Sequence, residues 1–143
     1  MDKKSLLLAC LAAADGAAYE PVQIQKLIFL FQERASKLFT AKPFHFIAYD
    51  YGPFDKDIYS GLESLEAQGL VEIYGSPFSR PRLYGLSDTG KAPAKVALNS
   101  IKEPYRGYLV MLSKWIRQAT FAQLVGAIYK EYPSMRANSV FKE

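Results

Sequence analysis

The sequence predicts a mostly α-helical α+β domain whose small β-hairpin resembles the wing of a winged helix. Apolar residues recur every three or four positions along several segments, which is typical of amphipathic helices. Half of the 143 residues are hydrophobic and 14% are aromatic, so a single core can form. Two short apolar runs separated by a loop containing glycine and proline predict the hairpin.

Two helices are expected in the first forty residues. The first covers residues 3–14 and ends at Asp15 and Gly16. Pro21 suits the first turn of the second helix, whose wide apolar stripe predicts a central position in the fold. That stripe consists of Ile24, Leu27, Ile28, Phe31, Ala35 and Leu38, widened by Phe29 and Leu30.

The next segment predicts a short strand followed by a third helix. Residues 43–49 are rich in aromatic and β-branched side chains, which favour strands. A sharp turn is expected at residues 51–53, with Pro53 as the first residue of the helix. Asp55 and Asp57 would then lie near its positive end. The buried stripe is expected to be Phe54, Ile58, Leu62 and Leu65.

The hairpin is expected after Gly69, which is well placed to cap the third helix. Residues 70–74 and 82–86 are the strand candidates, and residues 75–81 form the loop between them. With the third helix in front of it, this hairpin resembles the wing of a winged helix, and the helix takes the recognition position.

Three further helical segments complete the predicted domain. One starts at residues 87–90, one spans residues 103–118, and the last follows the capping-box pattern of Thr120 and Gln123. Pro133 ends the last helix. We therefore expect a single domain over residues 1–133 and a C-terminal tail over residues 134–143.

The N-terminal segment and the single cysteine predict a cytoplasmic protein without a membrane span. Lysines followed by an apolar run have the outline of a signal peptide, but the run is short and Asp15 interrupts it. No apolar stretch approaches the length of a membrane span. Cys10 has no partner for an intrachain disulfide, and its leucine and alanine neighbours predict a small buried residue.

The net charge of +4 is unevenly distributed. Residues 1–69 hold seven Lys or Arg and nine Asp or Glu, which gives −2; residues 70–143 hold eleven and five, which gives +6. The basic second half indicates an anionic partner, such as nucleic acid or an acidic protein surface.

The third helix carries the opposite charge from a DNA-reading helix. One lysine and four acids occupy its exposed positions, so phosphates would be repelled. This face is instead a candidate protein-binding surface. Its predicted contact residues are Asp55, Lys56, Asp57, Ser60 and Glu63.

Two pairs of arginines are candidate nucleic-acid contacts. Arg80 and Arg82 lie at the tip of the hairpin, where they could touch phosphates. Arg106 and Arg117 are eleven residues apart and share a helix face, with Lys102 nearby. The alternative for both pairs is an ordinary solvated surface.

Two segments carry a family resemblance. The helix segment at residues 25–32, Gln-Lys-Leu-Ile-Phe-Leu-Phe-Gln, resembles the corresponding helix of the Panacea/SocA-like antitoxin domains and the related YwgA-like proteins. Residues 49–59, Tyr-Asp-Tyr-Gly-Pro-Phe-Asp-Lys-Asp-Ile-Tyr, resemble the Tyr-Gly-Pro segment of the same group. The motif residues in this chain are Gln25, Lys26, Tyr49, Tyr51, Gly52, Pro53 and Tyr59.

The resemblance implies a mostly helical fold with a small sheet and a non-enzymatic role. Some members of the group neutralise a toxin or deliver a partner to a protease. Asp50, Tyr51 and Phe54 make the chain most similar to the YwgA-like branch. The motif residues also have a structural interpretation, because a Gly-Pro turn can be covered by the neighbouring tyrosines.

The catalytic residue types are sparse. His45 is the only histidine, and no nucleophile-elbow pattern accompanies it. One His and one Cys cannot form the usual zinc site. Asp50, Asp55 and Asp57 have the oxygen ligands that suit magnesium or calcium, but helix-dipole stabilisation explains them equally. No cofactor is expected.

The favoured hypothesis is a non-enzymatic, protein-binding regulatory module, antitoxin-like or associated with phage defence, whose partner is a toxin or defence component. The alternative is a winged-helix DNA-binding transcriptional regulator. An enzyme with a carboxylate metal site is a third class. We expect exposed aromatic residues on the second and fifth helices, which would also suit a homodimer.

Overall fold

The computed structural model describes residues 1–75 and 82–141, and it confirms the predicted mostly helical α+β fold. Two antiparallel hairpins accompany the helices. In chain order the elements are α1 (Lys3–Ala13), α2 (Pro21–Arg34), β1 (Ile47–Tyr49), β2 (Gly52–Phe54), α3 (Lys56–Ala67), β3 (Val71–Tyr74), β4 (Leu83–Leu86), α4 (Lys91–Asn99), α5 (Tyr105–Gln118) and α6 (Phe121–Glu131). Short 3-10 turns occupy Ser36–Leu38 and Pro133–Arg136.

The core forms around α1 and α2. Every residue from Leu6 to Leu11 is buried, and α1 packs against α3, α4 and α5. The side chains of residues 24–32 in α2 are also buried, as its wide apolar stripe predicts. The Tyr19 hydroxyl lies 2.6 Å from the Cys10 carbonyl oxygen and 2.6 Å from Ser113 Oγ, which ties α1 to α5.

The centre of the fold has the predicted helix-and-hairpin arrangement. Gly69 ends α3 with φ of +79°, as expected of a glycine after a helix, and β3 pairs antiparallel with β4. Tyr19 adds a third short strand segment, because its backbone N–H and C=O both bond to Tyr84 at 2.9 Å. Gly90 allows close packing here, since a Cβ at this position would lie 1.9 Å from the Leu70 oxygen.

The predicted start of the third helix is wrong. Gly52, Pro53 and Phe54 form strand β2, which pairs with β1, and the helix begins at Lys56. Gly52 has φ of +98°, so the chain reverses into a hairpin before the proline. Asp55 caps the helix instead, and its side chain accepts a hydrogen bond of 2.8 Å from the backbone N–H of Asp57.

The last helices follow the expected pattern. Thr120 and Gln123 form the predicted capping box, with reciprocal bonds of 2.9 and 3.1 Å. The segment after α6, expected as a tail, returns to the β1–β2 hairpin. Val140 N–H donates to the Asp50 oxygen at 2.9 Å, and the Asn138 amide donates to the Ala48 oxygen at 3.0 Å.

The helices α2 and α5 differ in how much apolar surface they expose. The aromatic residues Phe29 and Phe31 of α2 are buried, so the exposed aromatics expected on this helix are absent. Helix α5 does expose Val110, Met111 and Trp115.

Within the described ranges, none of the helices combines the length and the apolar character needed to cross a bilayer.

Candidate functional site

Two buried glutamines of α2 fix the segment that forms the site. Gln25 Nε2 donates to the backbone carbonyl oxygen of Asp55 at 2.9 Å, and Gln25 Oε1 accepts from the backbone N–H of Asp55 at 3.0 Å. Gln32 makes the same pair of bonds to Phe44, each 3.0 Å long. Because the glutamines are seven residues apart, they share a helix face about 10 Å in length. Residues 44–55 are therefore attached to α2 at both ends.

Asp55 is a structural residue rather than an exposed contact. It is 8% exposed, in contrast to the expectation that it faces solvent on the third helix. Its carboxylate accepts hydrogen bonds from the backbone N–H groups of His45 and Asp57, both at 2.8 Å. These bonds join the start of the segment to the start of α3, so replacing Asp55 would disturb both.

Glycine is required at the tip of the β1–β2 hairpin. The positive φ of Gly52 is unfavourable for other residues. A Cβ at this position would also lie 3.3 Å from Cε1 of the buried Tyr129 in α6. The tip therefore packs directly on α6, and the hairpin is held between α2 and α6.

A cavity of about 350 Å³ lies between the hairpin and the beginnings of α2 and α6. Its walls are mostly aromatic and aliphatic, and six of the seven motif residues contribute to them. Pro53, the seventh, supplies a carbonyl oxygen to Lys26. The complete lining, called the aromatic pocket below, is Glu20, Pro21, Val22, Gln25, Lys26, Tyr49, Asp50, Tyr51, Gly52, Phe54, Tyr59 and Phe121.

The rim of the aromatic pocket exposes large rings. Tyr49 and Tyr51 are each 48% exposed, and Phe121 is 39% exposed. Tyr49 stacks on Phe54 with centroids 4.9 Å apart, and Tyr51 meets Phe121 edge to face at 5.3 Å. These contacts hold the rings in place while leaving apolar surface open to solvent, which is unusual for a side chain that serves only the core.

Lys26 is the buried cation of the aromatic pocket. It is 4% exposed, and its Nζ donates to the Pro53 oxygen at 3.0 Å. Among the residues that the structure describes, no carboxylate forms an ion pair with it. Burial disfavours the charged ammonium and lowers the pKa of Lys26 to about 8. Burial also raises the pKa of the neighbouring Tyr59 to about 12.

The predicted acidic face of α3 is partly neutralised. Asp57 pairs with Lys3 at 2.7 Å, and Glu63 lies 3.9 Å from Arg82. Lys56 and Ser60 are exposed beside them. The face therefore presents mixed charges rather than the uncompensated −3 expected from the sequence.

The predicted arginine contacts that the structure describes are Arg82, Arg106 and Arg117. Arg80 lies outside the described residues, and Arg82 is engaged with Glu63. Arg106 contacts Glu103 at 3.4 Å and the Asn99 oxygen at 3.3 Å. Arg117 Nε donates to the buried Ser113 Oγ at 3.2 Å. Each described arginine thus has an intramolecular partner.

The three aspartates considered as metal ligands occupy different environments. Asp50 lies in the turn between β1 and β2, whereas Asp55 caps α3 and Asp57 pairs with Lys3. Over residues 1–75 and 82–141, no group of three or more His, Cys, Asp or Glu side chains is arranged to hold a metal ion.

Sequence reasoning identified the motif but missed its companions Glu20, Val22 and Phe121. Phe121 precedes Leu124 and Ile128 by three and seven residues, so its spacing is that of the buried stripe of α6. It is exposed only because the first turn of α6 projects beyond the core. Nothing in the local sequence distinguishes a buried phenylalanine of the α6 stripe from one that is exposed at the pocket rim.

Comparison with known proteins gives no family assignment. No protein-family model matches the chain, and no curated protein matches it.

Proposed function

We propose that this protein is a non-enzymatic, protein-binding regulatory module whose partner contacts the aromatic pocket. One observation carries the proposal: half-exposed tyrosine and phenylalanine rings surround an open cavity of about 350 Å³. Aromatic residues are enriched at protein interfaces, and binding energy concentrates where one partner inserts a side chain into such a pocket.

The fixed backbone beneath the rings supports the same proposal. Gln25 and Gln32 hold the rim segment at both ends, and Tyr129 packs under its tip. A surface ordered before binding loses little conformational entropy when a partner docks. The rim is therefore suited to specific recognition.

The predicted surface on α3 adjoins the aromatic pocket. Lys56 and Glu63 lie three and four residues from Tyr59, which lines the pocket. Residues at these intervals share one side of a helix. A partner seated on the rim could extend over Lys56, Ser60 and Glu63, whose mixed charges would contribute to specificity.

We further propose an antitoxin-like or defence-associated role in the cytoplasm. Support comes from the resemblance of residues 25–32 and 49–59 to the Panacea/SocA-like and YwgA-like proteins, since these segments build the aromatic pocket. Cys10, the single cysteine, is free and buried, and a chain that forms no internal disulfide suits a reducing compartment. The partner would be a toxin or another defence component.

Co-expression with the products of neighbouring genes tests the proposed function. We expect one product to copurify, with Tyr51→Ala weakening the complex at least tenfold in titration calorimetry, as for a residue at the centre of an interface. Tyr74→Ala is the matched control, because Tyr74 is also 48% exposed but lies on β3. No saturable complex, or equal losses in the two variants, would contradict the proposal.

The alternative is a winged-helix DNA-binding regulator. The helix-and-hairpin centre and the +6 charge of residues 70–143 favour it. The pairing of Arg82 with Glu63 and the acids of α3 oppose phosphate contact. This alternative predicts duplex binding that weakens steeply with salt and on changing Arg80 and Arg82 to alanine. No mobility shift at low salt would rule it out.

A further inference from the structure

The floor and the rim of the aromatic pocket differ in charge. Lys26 is buried at the floor, whereas Glu20 is exposed and Asp50 is half-buried. The ammonium group has three N–H donors, and in the described part of the chain it makes one hydrogen bond, to the Pro53 oxygen. The Lys26 ammonium can therefore donate further hydrogen bonds to a ligand in the pocket that it lines.

An anion is the ligand that the floor favours. A buried ammonium is unfavourable unless an anion and hydrogen bonds compensate it. The Pro53 carbonyl supplies one partial negative charge, and a bound carboxylate would supply a full one. The walls require something different, namely an apolar group that covers the rings of Phe54, Tyr59 and Phe121.

A chain end satisfies both requirements within one residue. The last residue of a protein offers a carboxylate on the main chain and a separate apolar side chain. An internal Asp or Glu uses its side chain for the carboxylate and leaves the walls uncovered. The volume of about 350 Å³ lies near the lower limit of ~300–1,000 Å³ for small-ligand sites, which suits one or two residues.

Resting on the proposed function, we propose that the aromatic pocket receives the C-terminal residue of the partner protein. The terminal carboxylate binds Lys26, and an aliphatic or aromatic side chain packs on the rings. The acidic rim of Glu20 and Asp50 then selects against another acid just before the terminus, since like charges repel.

Synthetic hexapeptides provide the test. The probes end in Lys-Leu, Lys-Phe or Lys-Trp, each as the free acid and as the C-terminal amide, and fluorescence anisotropy measures binding to the full chain. We expect at least one acid to bind at least tenfold more tightly than its amide, and replacement of the penultimate Lys by Glu to weaken it. Acids that bind no better than amides, or not at all, would overturn the proposal.

Variants localise the effect to the pocket floor. Lys26→Met should abolish the preference for acid over amide, while Lys95→Met, at an exposed position of α4 away from the pocket, should preserve it. The wild-type comparison of acid and amide does not depend on the folding of either variant. An unchanged preference in a folded Lys26→Met protein would exclude Lys26 as the carboxylate contact.

The preference should fall about tenfold between pH 7 and pH 9, as the ammonium with a pKa of about 8 loses its proton. Burial raises the pKa of Tyr59 to about 12, so that hydroxyl stays protonated over this range. A preference that does not change with pH would contradict the role of Lys26. The charged and titratable groups facing Lys26 are Glu20, Tyr49, Asp50, Tyr51, Tyr59 and, from α6, Tyr129.

Two further arms separate the possible failures. If 3-phenylpropanoate binds as tightly as the best peptide acid, the occupant is a small carboxylic acid and the chain-end proposal is wrong. If a partner copurifies equally well with three residues added to its C-terminus, the proposed function stands and this inference fails. If the peptide acids bind through Lys26 but no protein copurifies, the proposed function fails on its own.

Discussion

At the scale of single residues, polar side chains of α2 form hydrogen bonds to backbone groups that would otherwise pair with other backbone groups. Gln25 and Gln32 each satisfy both the N–H and the C=O of one distant residue. Lys26 points to the same segment and satisfies the Pro53 oxygen. Three buried polar residues, set among the apolar side chains of α2, therefore determine where residues 44–55 lie.

Replacing Gln25 should destabilise the protein markedly. Gln25→Ala removes two buried hydrogen bonds and leaves the Asp55 N–H and C=O without these partners, which we expect to cost about 2–4 kcal/mol. Urea denaturation would measure the loss. Gln118→Ala, at the exposed end of α5, is the control and should change stability by less than about 0.5 kcal/mol. Equal effects would show that the two bonds to Asp55 contribute little.

Lys26 should make stability depend on alkaline pH. Its pKa is lowered from 10.5 to about 8 in the folded state, so between these values the unfolded chain binds more protons. Stability therefore rises with pH in this window. Relative to Lys26→Met, the wild type should gain about 2 kcal/mol from pH 7.5 to 9.5 in urea denaturation. Lys56→Met should show no such trend relative to the wild type.

At this scale the sequence identified the right residues without their contacts. The family resemblance marked Gln25 as a motif residue, and Gln32 ends the same helix segment. Their partners Asp55 and Phe44 lie thirty and twelve residues away. Hydrogen bonds over such separations follow from packing of the whole chain, which local patterns do not contain.

At the scale of secondary-structure elements, the β1–β2 hairpin is the main difference from expectation. The sequence Tyr-Gly-Pro was interpreted as a turn into a helix, because proline is common at the first helical position. The residue before a proline also favours extended backbone, and Gly52 provides the reversal that a hairpin requires. Both patterns fit the same three residues, and contact with Tyr129 decides between them.

Gly52→Ala should damage this hairpin. Alanine at φ of +98° is strained, and its Cβ would press on Tyr129, so we expect a loss of about 1–2 kcal/mol or more. Thermal unfolding would measure it, and the motions of Tyr49 and Tyr51 should increase in NMR relaxation. Gly107→Ala in α5 is the control: alanine favours the helix by about 0.5–1 kcal/mol, but its Cβ would lie 3.2 Å from Glu103 Oε1, so the net change in stability should be small. A neutral Gly52→Ala would show that the tip can relax.

The helices themselves were largely predictable. The stripes of α2, α5 and α6 lie at helical spacing, and Thr120 and Gln123 form the expected capping box. The start of α3 differs from the prediction because Asp55, rather than the Gly-Pro turn, caps this helix. Asp55 starts α3 because its carboxylate reaches the Asp57 N–H while its backbone is held by Gln25.

At the scale of the whole molecule, the C-terminal segment completes the support of the site. Tyr129 donates to Ser139 Oγ at 2.5 Å, and the backbone of Val140 bonds to Asp50 at 2.9 Å. The second of these contacts joins residues ninety positions apart in the chain. The lack of periodicity after Pro133 predicted a tail, because hydrogen bonds from this segment to a remote hairpin leave no periodic pattern in the sequence.

Truncation after Ala137 should loosen the hairpin without unfolding the core. The shortened chain loses the bonds from Asn138 and Val140, so we expect faster amide hydrogen exchange in residues 47–54. Exchange in α1 should remain slow, since its contacts lie with α3, α4 and α5. Conversely, unchanged exchange in the hairpin would mean that α2 and α6 alone hold it. Mass spectrometry resolves both regions.

The predicted homodimer also belongs to this scale. Of the two helices considered, α2 is buried and only α5 retains exposed apolar side chains, at Val110, Met111 and Trp115. Of these two helices, α5 is therefore the one that would contact a second copy of the chain in the predicted homodimer.

Because residues 44–55 are attached to α2 at both ends, the outward side chains of this segment can be replaced without changing how the segment is held. Gln25 and Gln32 hold its two ends through backbone N–H and C=O groups, which every amino acid except proline possesses. Substitutions at the outward positions 47, 49 and 51 can therefore change the rim while the attachment stays intact. A library randomised at these three positions on an unaltered helical scaffold would yield binders of new specificity at nearly constant stability.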